Sequence, residues 1–401
     1  MSLIDALKGS EFANQWILDP KMIYLNHGSF GATPSAILEK QSEYREKLES
    51  GPVRFLIRQM EEMFELSRIK AANFVHASPH DLVFVQNATT AVSTVFRSLH
   101  FKPGDEILIT NHTYAACRRL VEFICEQSGA HLIEACYDFP INSPDVILEA
   151  VLSKVTSRTK IALIDHITSA TAIIQPVAAI VKELERKGVD TFIDGAHAPG
   201  SIPLDLENIG AAYYTGNCHK WICTPKSTAL LHVRRDKQDQ IHPLVISHAG
   251  HKAQPFTERF YWPGTFDPTP ALCVGDAIDY LAAFFPGGWP ELMQRNHDLC
   301  LEARNLLCQQ LNIEKPCPDS MIASMATLPL TPPETIVFTD YKGVDPFQDR
   351  IFREFNMEIP VWCSPNPPTR LIRISVQLYN SLEQYRYLGT VLKQLLKSET
   401  A

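Results

Sequence analysis

Short apolar segments alternate with segments of helical periodicity from about residue 80 to residue 233, which limits the fold more than any other feature of the chain. A strand that is apolar along its whole length is buried on both faces, as in a parallel sheet covered by helices. The pattern therefore predicts a doubly wound α/β domain with a mostly parallel sheet. The predicted strands are 81–86, 106–110, 131–135, 160–167, 189–197, 211–216 and 228–233, and the predicted helices between them are 90–100, 114–128, 144–154 and 176–188.

The pattern changes after Pro268, where helices and shorter strands begin to mix. This mixture predicts a smaller α+β domain at the C-terminus. With 401 residues, the chain is long enough for two domains. We predict an N-terminal helix in residues 1–20 that packs on the small domain, a large domain at 21–270 and a small C-terminal domain at 271–401. The segments predicted in the small domain are helices 270–285, 290–311, 347–355 and 381–397 and strands 324–330, 334–340 and 370–377.

Composition and charge exclude several classes of function. The net charge is −8, from 37 Lys and Arg against 45 Asp and Glu, and no block of basic residues occurs. Such a chain is a poor partner for nucleic acid or for an anionic membrane surface. No apolar run approaches the ~20 residues of a membrane helix, and the N-terminus shows no secretory signal. The ten cysteines include no C-x-x-C pair, which predicts free thiols in a reducing, cytoplasmic compartment and no metal site.

Polar residues follow five of the predicted strands at their carboxyl ends, where doubly wound sheets bind ligands. Because the ends of parallel strands meet at one edge of a sheet, we expect these segments to converge on one site. The five segments are Asn87-Ala88-Thr89-Thr90, Asn111-His112-Thr113-Tyr114, His166-Ile167-Thr168-Ser169, Asp194-Gly195-Ala196-His197 and Gly216-Asn217-Cys218-His219-Lys220.

Two of these segments offer a phosphate site and an amine. Free N–H groups and hydroxyls at a helix start, as in Ala88-Thr89-Thr90, can hold a phosphate, although a plain Asn/Thr N-cap explains this segment when taken alone. Burial of Lys220 would lower its pKa and prepare its amine for a Schiff base. The alternative for Lys220 is a side chain that reaches the surface.

The other segments offer partners for a flat, protonated ring. Asp194 ends a buried strand and needs a partner, such as a protonated ring nitrogen or a backbone cap. His112 can stack on a ring, and Tyr114 competes with it for that role. His197 lies within reach of whatever Asp194 binds. A phosphate, a flat pyridine, a ring nitrogen and an aldehyde that awaits an amine are the parts of pyridoxal 5′-phosphate, so the set predicts that cofactor.

The chain resembles the class V aminotransferase family of fold-type I pyridoxal-phosphate enzymes over about residues 20–395, and within it the isopenicillin N epimerase-like branch. The resemblance rests on several motifs that occur in the same order as in the family. Several of them lie at the carboxyl ends of the predicted strands. These motifs are N-H-G-S-F-G (26–31), N-A-T-T-A (87–91), N-H-T-Y (111–114), D-H-I-T-S-x-T (165–171), D-G-A-H (194–197), H-K-W (219–221), W-P-G-T-F-D-P (262–268) and R-I-S-V-Q-L-Y-N (373–380).

The resemblance implies roles for the residues that match the motifs. Lys220 would carry the Schiff base, Asp194 would pair with the ring nitrogen, and His112 would stack on the ring with Tyr114 as second choice; these make Lys220, Asp194 and His112 the expected catalytic residues. Arg373 would bind the substrate carboxylate, and the loop Asn26-His27-Gly28 would face the substrate and help to bind it. The remaining cofactor contacts that the resemblance implies are Ala88, Thr89, Thr90, Ser169, His197, Asn217, His219 and, from the partner chain of a homodimer, Thr265.

The resemblance implies an enzyme that acts at Cα of a small amino-acid substrate. The expected activity is isopenicillin N epimerase-like, that is, an epimerase or aminotransferase. The first alternative is a cysteine or cysteine-conjugate C–S lyase or desulfurase. A desulfurase requires a thiol on a mobile loop before the substrate arginine; Cys363 lies ten residues before Arg373 (373 − 363), but its Pro-rich segment argues against that role. A non-catalytic cofactor-binding protein is a more distant alternative.

Overall fold

A computed structural model describes residues 8–330, 345–365 and 368–399. In this part of the chain, strands form three sheets of seven, three and two strands. The strands are β1 (Ile23–Tyr24), β2 (Leu82–Val85), β3 (Glu106–Thr110), β4 (His131–Ala135), β5 (Thr159–Asp165), β6 (Asp190–Asp194), β7 (Tyr213–Asn217), β8 (Ala229–Val233), β9 (Met325–Leu330), β10 (Met357–Glu358), β11 (Val361–Pro365) and β12 (Pro368–Ser375).

The helices of the described residues follow the alternation that the sequence predicts, with additional helices before residue 80. A π-helical segment, Phe55–Gln59, joins two of these earlier helices. The α-helices are His27–Phe30, Ser35–Glu49, Pro52–Arg54, Met60–Phe74, Ala88–Ser98, Ala115–Ser128, Asp145–Ser153, Val177–Arg186, Leu206–Ile209, Cys218–Trp221, Thr269–Ala282, Gly288–Leu311, Pro346–Phe355 and Leu382–Glu399.

The seven-stranded sheet has the order β2-β8-β7-β6-β5-β3-β4, and β8 is antiparallel to both of its neighbours. The pairs within β7-β6-β5-β3-β4 are parallel. The prediction of a mostly parallel, doubly wound sheet is confirmed. Since these strands run the same way, their carboxyl ends lie at one edge of the sheet.

Alternate residues of the central strands build two separate cores, one on each face of this sheet. Leu108 and Ile164 belong to one hydrophobic cluster, whereas Ile107 and Leu163 belong to the other. The helix Val177–Arg186 covers the first face with apolar residues at helical spacing, Val177, Ile180, Val181 and Leu184. Burial on both faces explains why the strands are apolar throughout.

The C-terminal region contains an antiparallel sheet of order β11-β12-β9, covered by the helices Gly288–Leu311 and Leu382–Glu399. β1 pairs in parallel with β10, so residues 23–24 join the C-terminal region. The strand predicted at 334–340 lies outside the described residues. The boundaries of the two domains stay a prediction.

The N-terminal segment differs from its prediction. Residues 1–7 lie outside the described residues, and residues 8–18 contain only a 3₁₀ turn, Ala13–Gln15, in place of a helix. The reason is Gly9, whose φ of +60° turns the chain where a Cβ would lie 2.7 Å from the carbonyl oxygen of Tyr379. Phe12 packs against Phe284 and Phe285. Among the described residues, no helix has the length and apolar character that a membrane crossing requires.

Candidate active site

A cavity of about 630 Å³ opens at the carboxyl ends of the parallel strands, within the size range of small-ligand sites. It brings together residues from all five predicted segments, which together span more than a hundred residues of the sequence. The predicted residues that line it are Ala88, Thr89, Thr90, Tyr114, Ser169, Asp194, His197, Asn217, His219 and Lys220. The predicted residues that do not line it are Asn26, His27, Gly28, His112, Thr265 and Arg373.

Lys220 lies in the short helix that follows β7, and its side chain faces the cavity. Its Nζ atom is 3.2 Å from Nε2 of His197. Burial and the nearby charge of Arg373 lower the pKa of Lys220 to about 7, although Asp194 acts in the opposite direction. Burial also holds the pKa of His197 well below its usual value. Near neutral pH, this amine is therefore available as a nucleophile and base.

Asp194 is the last residue of β6 and is 3% exposed. Its Oδ1 atom accepts a hydrogen bond from the backbone N–H of Ala196 at 3.0 Å, and its Oδ2 atom accepts one from the Cys117 thiol at 3.4 Å. Burial raises the pKa of Asp194. The neighbouring strand ends in Asp165, which also lines the cavity and is paired in register with Asp194.

The start of the helix Ala88–Ser98 forms one side of the cavity. Asn87 caps this helix, since its side-chain oxygen accepts from the N–H of Thr90 at 2.9 Å. The Asn217 side chain accepts from the N–H of Ala88 at 2.9 Å. Within the described residues, the first-turn N–H of Thr89 has no such partner. An N-cap and an unbonded N–H thus occur in the same turn, so the cap does not exclude an anion site here.

His219 stands beside this helix start. Its Nδ1 atom contacts the carbonyl oxygen of Thr228 at 3.0 Å, which makes Nδ1 the protonated nitrogen of the neutral ring. Burial, followed by the charge of Lys220, lowers the pKa of His219 to about 4. The ring therefore presents an unprotonated Nε2 atom until an anion arrives.

The structure corrects the prediction that His112 stacks on a ligand ring in the cavity. Its ring stacks on Tyr137 instead, with centroids 4.2 Å apart and an interplanar angle of 12°. Its Nδ1 atom lies 3.1 Å from the hydroxyl of Thr171, and its Nε2 atom 3.0 Å from the carbonyl oxygen of Tyr137. Both nitrogens are thus engaged away from the cavity. Tyr114, the second choice, lines the cavity and is 46% exposed.

The prediction that His27 faces the substrate is also corrected, because this ring is fully buried behind Lys220. Its Nε2 atom is 2.9 Å from the carbonyl oxygen of Lys220, and its Nδ1 atom is 2.8 Å from the hydroxyl of Tyr379. Burial lowers the pKa of His27 to about 3, so the ring is neutral. His27 therefore connects the backbone of Lys220 to the C-terminal region.

Arg373 lies one contact behind the cavity wall and is 1% exposed. Its Nη1 atom donates to the carbonyl oxygen of Ser169 at 2.6 Å, and its Nη2 atom donates to the hydroxyl of Ser29 at 3.1 Å. The side chain of Asn26 is 3.5 Å from the same Nη2 atom. A Cβ on Gly28 would lie 3.3 Å from it and 2.4 Å from the sulfur of Met325, so only glycine fits there.

Two further residues from the sequence lie apart from the cavity. Thr265 is exposed, in a turn after Gly264. The backbone of Cys363 pairs with Arg370 in the β11–β12 ladder, and its side chain lies outside the described residues.

The structure adds residues that the sequence analysis did not select. The most important is Asp165, which carried the same signal as Asp194, a carboxylate at the end of a buried strand. The others line the cavity from loops or, for Ser29 and Phe30, from the short helix His27–Phe30, where sequence pattern gives no direction for a side chain. The added residues are Ser29, Phe30, Gln86, Asn87, Asp165, Ile167, Ala196, Lys226 and Ser227.

The cavity fits pyridoxal 5′-phosphate on the chemistry of its walls. It offers a reactive amine, an unbonded helix-start N–H beside His219, a buried carboxylate and an aromatic ring. Three buried polar atoms at or beside the cavity have no hydrogen-bond partner among the described residues: Oδ1 of Asp165, Nδ1 of His197 and Nε of Arg373. Buried polar groups are rarely left unpaired, so these atoms mark a site built for a polar ligand.

The fold and the site together define a pyridoxal-phosphate-dependent enzyme. A family model described as aminotransferase class V matches residues 23–286, and the chain belongs to that family. Membership of this family confirms two predictions from the sequence, that the protein is an enzyme and that its cofactor is pyridoxal 5′-phosphate.

Two of the relatives illustrate how their names differ. A probable L-cysteine desulfhydrase, chloroplastic, from Arabidopsis thaliana is 31% identical over 413 residues, which cover 97% of this chain and 85% of the relative. An isopenicillin N epimerase from Amycolatopsis lactamdurans is 30% identical over 400 residues, which cover 95% of this chain and 96% of the relative. The resemblance to the isopenicillin N epimerase-like branch is confirmed, but the epimerase activity is not favoured over the desulfhydrase.

A solved structure of similar fold is the apo cysteine desulfurase from Thermococcus onnurineus NA1. It matches with a TM-score of 0.80 and 19% identity, covering 97% of this chain and 98% of that one. A complex of the cystine C–S lyase C-DES with cysteine persulfide matches with a TM-score of 0.74 and 19% identity, covering 92% of this chain and 97% of that one. At this identity, the likeness concerns the fold, which is of type I as predicted.

Proposed function

We propose that this protein is a pyridoxal-phosphate-dependent C–S lyase that removes the Cα proton of L-cysteine, or a close conjugate of it, and expels the sulfur from Cβ. The bound cofactor supplies a sink for the electrons of the broken Cα–H bond. For L-cysteine, the overall reaction converts the amino acid and water into hydrogen sulfide, pyruvate and ammonia, a balance that needs no oxidant. This choice takes the first alternative from the sequence in place of the epimerase.

Lys220 has two tasks in this proposal. Its amine would hold the cofactor through the aldehyde, and the same amine, once free, would remove the Cα proton of the substrate. A pKa lowered to about 7 by burial suits both tasks, because the unprotonated amine is needed each time. His197, 3.2 Å from the Lys220 Nζ atom, orients the side chain.

The other residues bind and orient. Asp194 would pair with the ring nitrogen and keep it protonated, and Tyr114 would contact the ring. The helix start at Thr89 would hold the phosphate together with Asn217 and His219. Arg373 lies one contact behind the cavity wall, and it would bind the substrate carboxylate in exchange for its present contacts with Ser169 and Ser29. Together these contacts fix which Cα bond stands in the reactive direction, and that choice selects the reaction.

The observation that carries the lyase proposal is the position of His112. An epimerase returns a proton from the face opposite to Lys220, and His112 is the first group that the sequence offers for this. Its two nitrogens contact Thr171 and Tyr137, away from the cavity. A lyase needs no second group, since Lys220 alone takes the proton and the sulfur leaves from Cβ.

The test measures products from the purified holoenzyme and L-cysteine. We expect sulfide and pyruvate in equal amounts, and neither from Lys220→Ala. Lys182→Ala, at an exposed lysine of the helix Val177–Arg186, is the matched control and should keep both products. Formation of a D-amino acid without sulfide, or of a keto acid that keeps its sulfur, would contradict the proposal.

A desulfurase would give a different pair of products. Sulfur transfer to a protein thiol leaves L-alanine and a persulfide, with no pyruvate. Cys363→Ala would then abolish sulfur release, whereas the lyase proposal expects this variant to keep it. Formation of alanine in place of pyruvate would therefore indicate a desulfurase, with Cys363 as the sulfur acceptor.

Epimerisation remains a second candidate because of Tyr114. This residue lines the cavity, and burial raises the pKa of its phenol, so the hydroxyl is protonated and can serve as an acid. Incubation of the holoenzyme with L-amino acids in heavy water decides between the two. Deuterium at Cα of an accumulating D-form, lost in Tyr114→Phe, would favour the epimerase.

We also propose a homodimer in a reducing compartment such as the cytoplasm. Nine cysteines among the described residues are free, which fits such a compartment. Thr265 is exposed and does not line the cavity of its own chain, which fits a residue that serves a partner's phosphate site.

A further inference from the structure

Two carboxyl groups lie side by side at the floor of the cavity. β5 and β6 are parallel, and Asp165 is paired in register with Asp194 at their carboxyl ends. Residues paired across neighbouring strands share a face of the sheet, and the strands are only about 4.8 Å apart. Asp165 is 2% exposed and Asp194 is 3% exposed. Two charged carboxylates in this position would repel each other strongly.

The carboxyl groups of Asp165 and Asp194 differ in their hydrogen bonds. Both oxygens of Asp194 accept a hydrogen bond, from the N–H of Ala196 and the thiol of Cys117. The Asp165 carboxyl accepts a hydrogen bond from the backbone N–H of Tyr114, but its Oδ1 atom has no partner among the described residues. An ionised carboxylate needs donors, whereas a protonated one carries its own. Asp194 is therefore the better place for a negative charge.

The surrounding groups do not supply enough positive charge for two carboxylates. Burial raises the pKa of Asp165 well above its usual value, and the charge of Asp194 adds to this effect, while Lys220 opposes it. The pKa of Lys220 is itself lowered to about 7, so this amine carries less than one full positive charge near neutral pH. The other titratable groups that act on the pair have pKa values raised by burial and stay neutral: Cys117, Tyr114, Tyr137 and Tyr214.

We propose that Asp165 is a positioning residue that holds a proton at neutral pH, so that Asp194 stays ionised for the ring nitrogen of the cofactor. The pair thus carries one negative charge, on Asp194, because the surroundings of the two carboxyls favour different protonation states. The unpartnered Oδ1 atom of Asp165 presents an O–H donor to the cavity. This inference rests on the proposed contact of Asp194 with the ring nitrogen.

The first test observes the proton directly. In holoenzyme labelled with [¹³C]aspartate at the side-chain carboxyl, the infrared spectrum at pH 7 should contain the band of a protonated carboxylic acid. Asp165→Asn should remove this band. Asp190→Asn, at the other end of β6 where Asp190 pairs with Lys237, is the matched control and should retain it.

The outcomes separate this inference from the proposed function. A band that persists in Asp165→Asn would place the proton elsewhere, and a wild-type spectrum without the band would mean that both groups are ionised; either result overturns the inference. Both spectroscopic results are independent of the products that the enzyme forms, so they do not test the proposed function. The wild-type spectrum decides on its own if the variant does not fold.

The second test asks whether polarity or volume matters at position 165. Asp165→Leu and Asp165→Asn have nearly the same size, but only the asparagine keeps a donor. We expect Leu to raise the dissociation constant of the cofactor at least tenfold, as the loss of a buried hydrogen bond predicts. Asn should restore most of this loss. Equal affinities for the two variants would reduce Asp165 to a structural residue and overturn the proposal.

Discussion

Lys220 shows at the scale of one residue how the fold converts an inert cation into a reactive amine. Desolvation is the largest contribution to its lowered pKa, and the positive charge of Arg373 is the next. Asp194 and Asp165 oppose both, so the value of about 7 is a balance of burial against two carboxyls. Since Asp165 is proposed to be neutral, only one full negative charge acts on Lys220.

This balance predicts the pH dependence of cofactor uptake by the apoenzyme. Only the neutral amine attacks an aldehyde, and the neutral fraction of a group with a pKa near 7 rises about tenfold per pH unit below 7. We expect the uptake rate to rise in this way and to level off above pH 8. Stopped-flow absorbance of apoenzyme mixed with excess pyridoxal phosphate measures it.

The control is N-acetyl-lysine under the same conditions. It corrects for ionisations of the cofactor itself, and its rate should continue to rise towards pH 10, as for an unperturbed lysine. A protein rate that follows the same course to pH 10 would show that Lys220 is protonated in the folded apoenzyme, contrary to the prediction.

Single residues were also where the sequence was least informative. Strand ends identified Asp194 and Lys220, because position along a buried strand is a local property. The directions of His112 and His27 were wrong because they depend on distant partners. His27 binds Tyr379, 352 residues away, and His112 stacks on Tyr137 in another strand's loop. No spacing in the sequence records such contacts.

At the scale of elements, the loop around the first helix fixes the position of Lys220. Gly31 ends the helix His27–Phe30 with a φ of +70°, and a Cβ there would lie 1.9 Å from the carbonyl oxygen of His219. The contact is backbone against backbone, so no side chain can move to relieve it. The glycine in the motif N-H-G-S-F-G is thus required by close approach.

Gly31→Ala should displace the segment that carries His219 and Lys220. We expect at least a tenfold loss of cofactor affinity, measured by fluorescence titration, with a smaller effect on thermal unfolding. Gly104→Ala is the matched control, because Gly104 also has a positive φ, +87°, but open space around its Cβ position. Both variants carry the backbone strain of about 1–2 kcal/mol, and only Gly31→Ala adds the clash. Equal cofactor affinities would refute this account of the loop.

The elements that the sequence predicted best were those of the large sheet. Strands at 106–110 and 131–135 match the structure residue for residue. The first is buried along its whole length and leaves a mostly apolar signal, whereas the second is a partly exposed strand at the edge of the sheet. The helix Ser35–Glu49 was not predicted. Only Ile37 and Gln41 are buried in it, so its apolar periodicity is weak.

At the scale of the whole molecule, the question is how many chains complete one site. Thr265 is exposed in a turn that does not line the cavity of its own chain. Three large apolar side chains between residues 30 and 57 are exposed, namely Phe30, Val53 and Ile57. Phe30 also lines the cavity. Apolar exposure near a cavity is typical of a surface that a partner covers.

If Thr265 serves the phosphate of a partner chain, defects at Lys220 and Thr265 must complement each other. In a mixed dimer of Lys220→Ala and Thr265→Ala chains, one site has both defects, whereas the other has an intact Lys220 and an intact Thr265. Thr265→Ala alone should weaken cofactor binding about tenfold or more through the lost charged hydrogen bond. Thr390→Ala, at an exposed hydroxyl of the last helix, should not.

Complementation is therefore a direct measurement of shared sites. After subunit exchange, a mixture of the two variants should regain tight covalent cofactor binding at up to one site per mixed dimer, followed by absorbance during titration with pyridoxal phosphate. Sedimentation velocity should give one dimeric species for each variant. Because each variant alone lacks an intact site, recovery can come only from a site built by two chains. A mixture that binds no better than the average of its components would place Thr265 outside the site and remove the main argument for a shared homodimer.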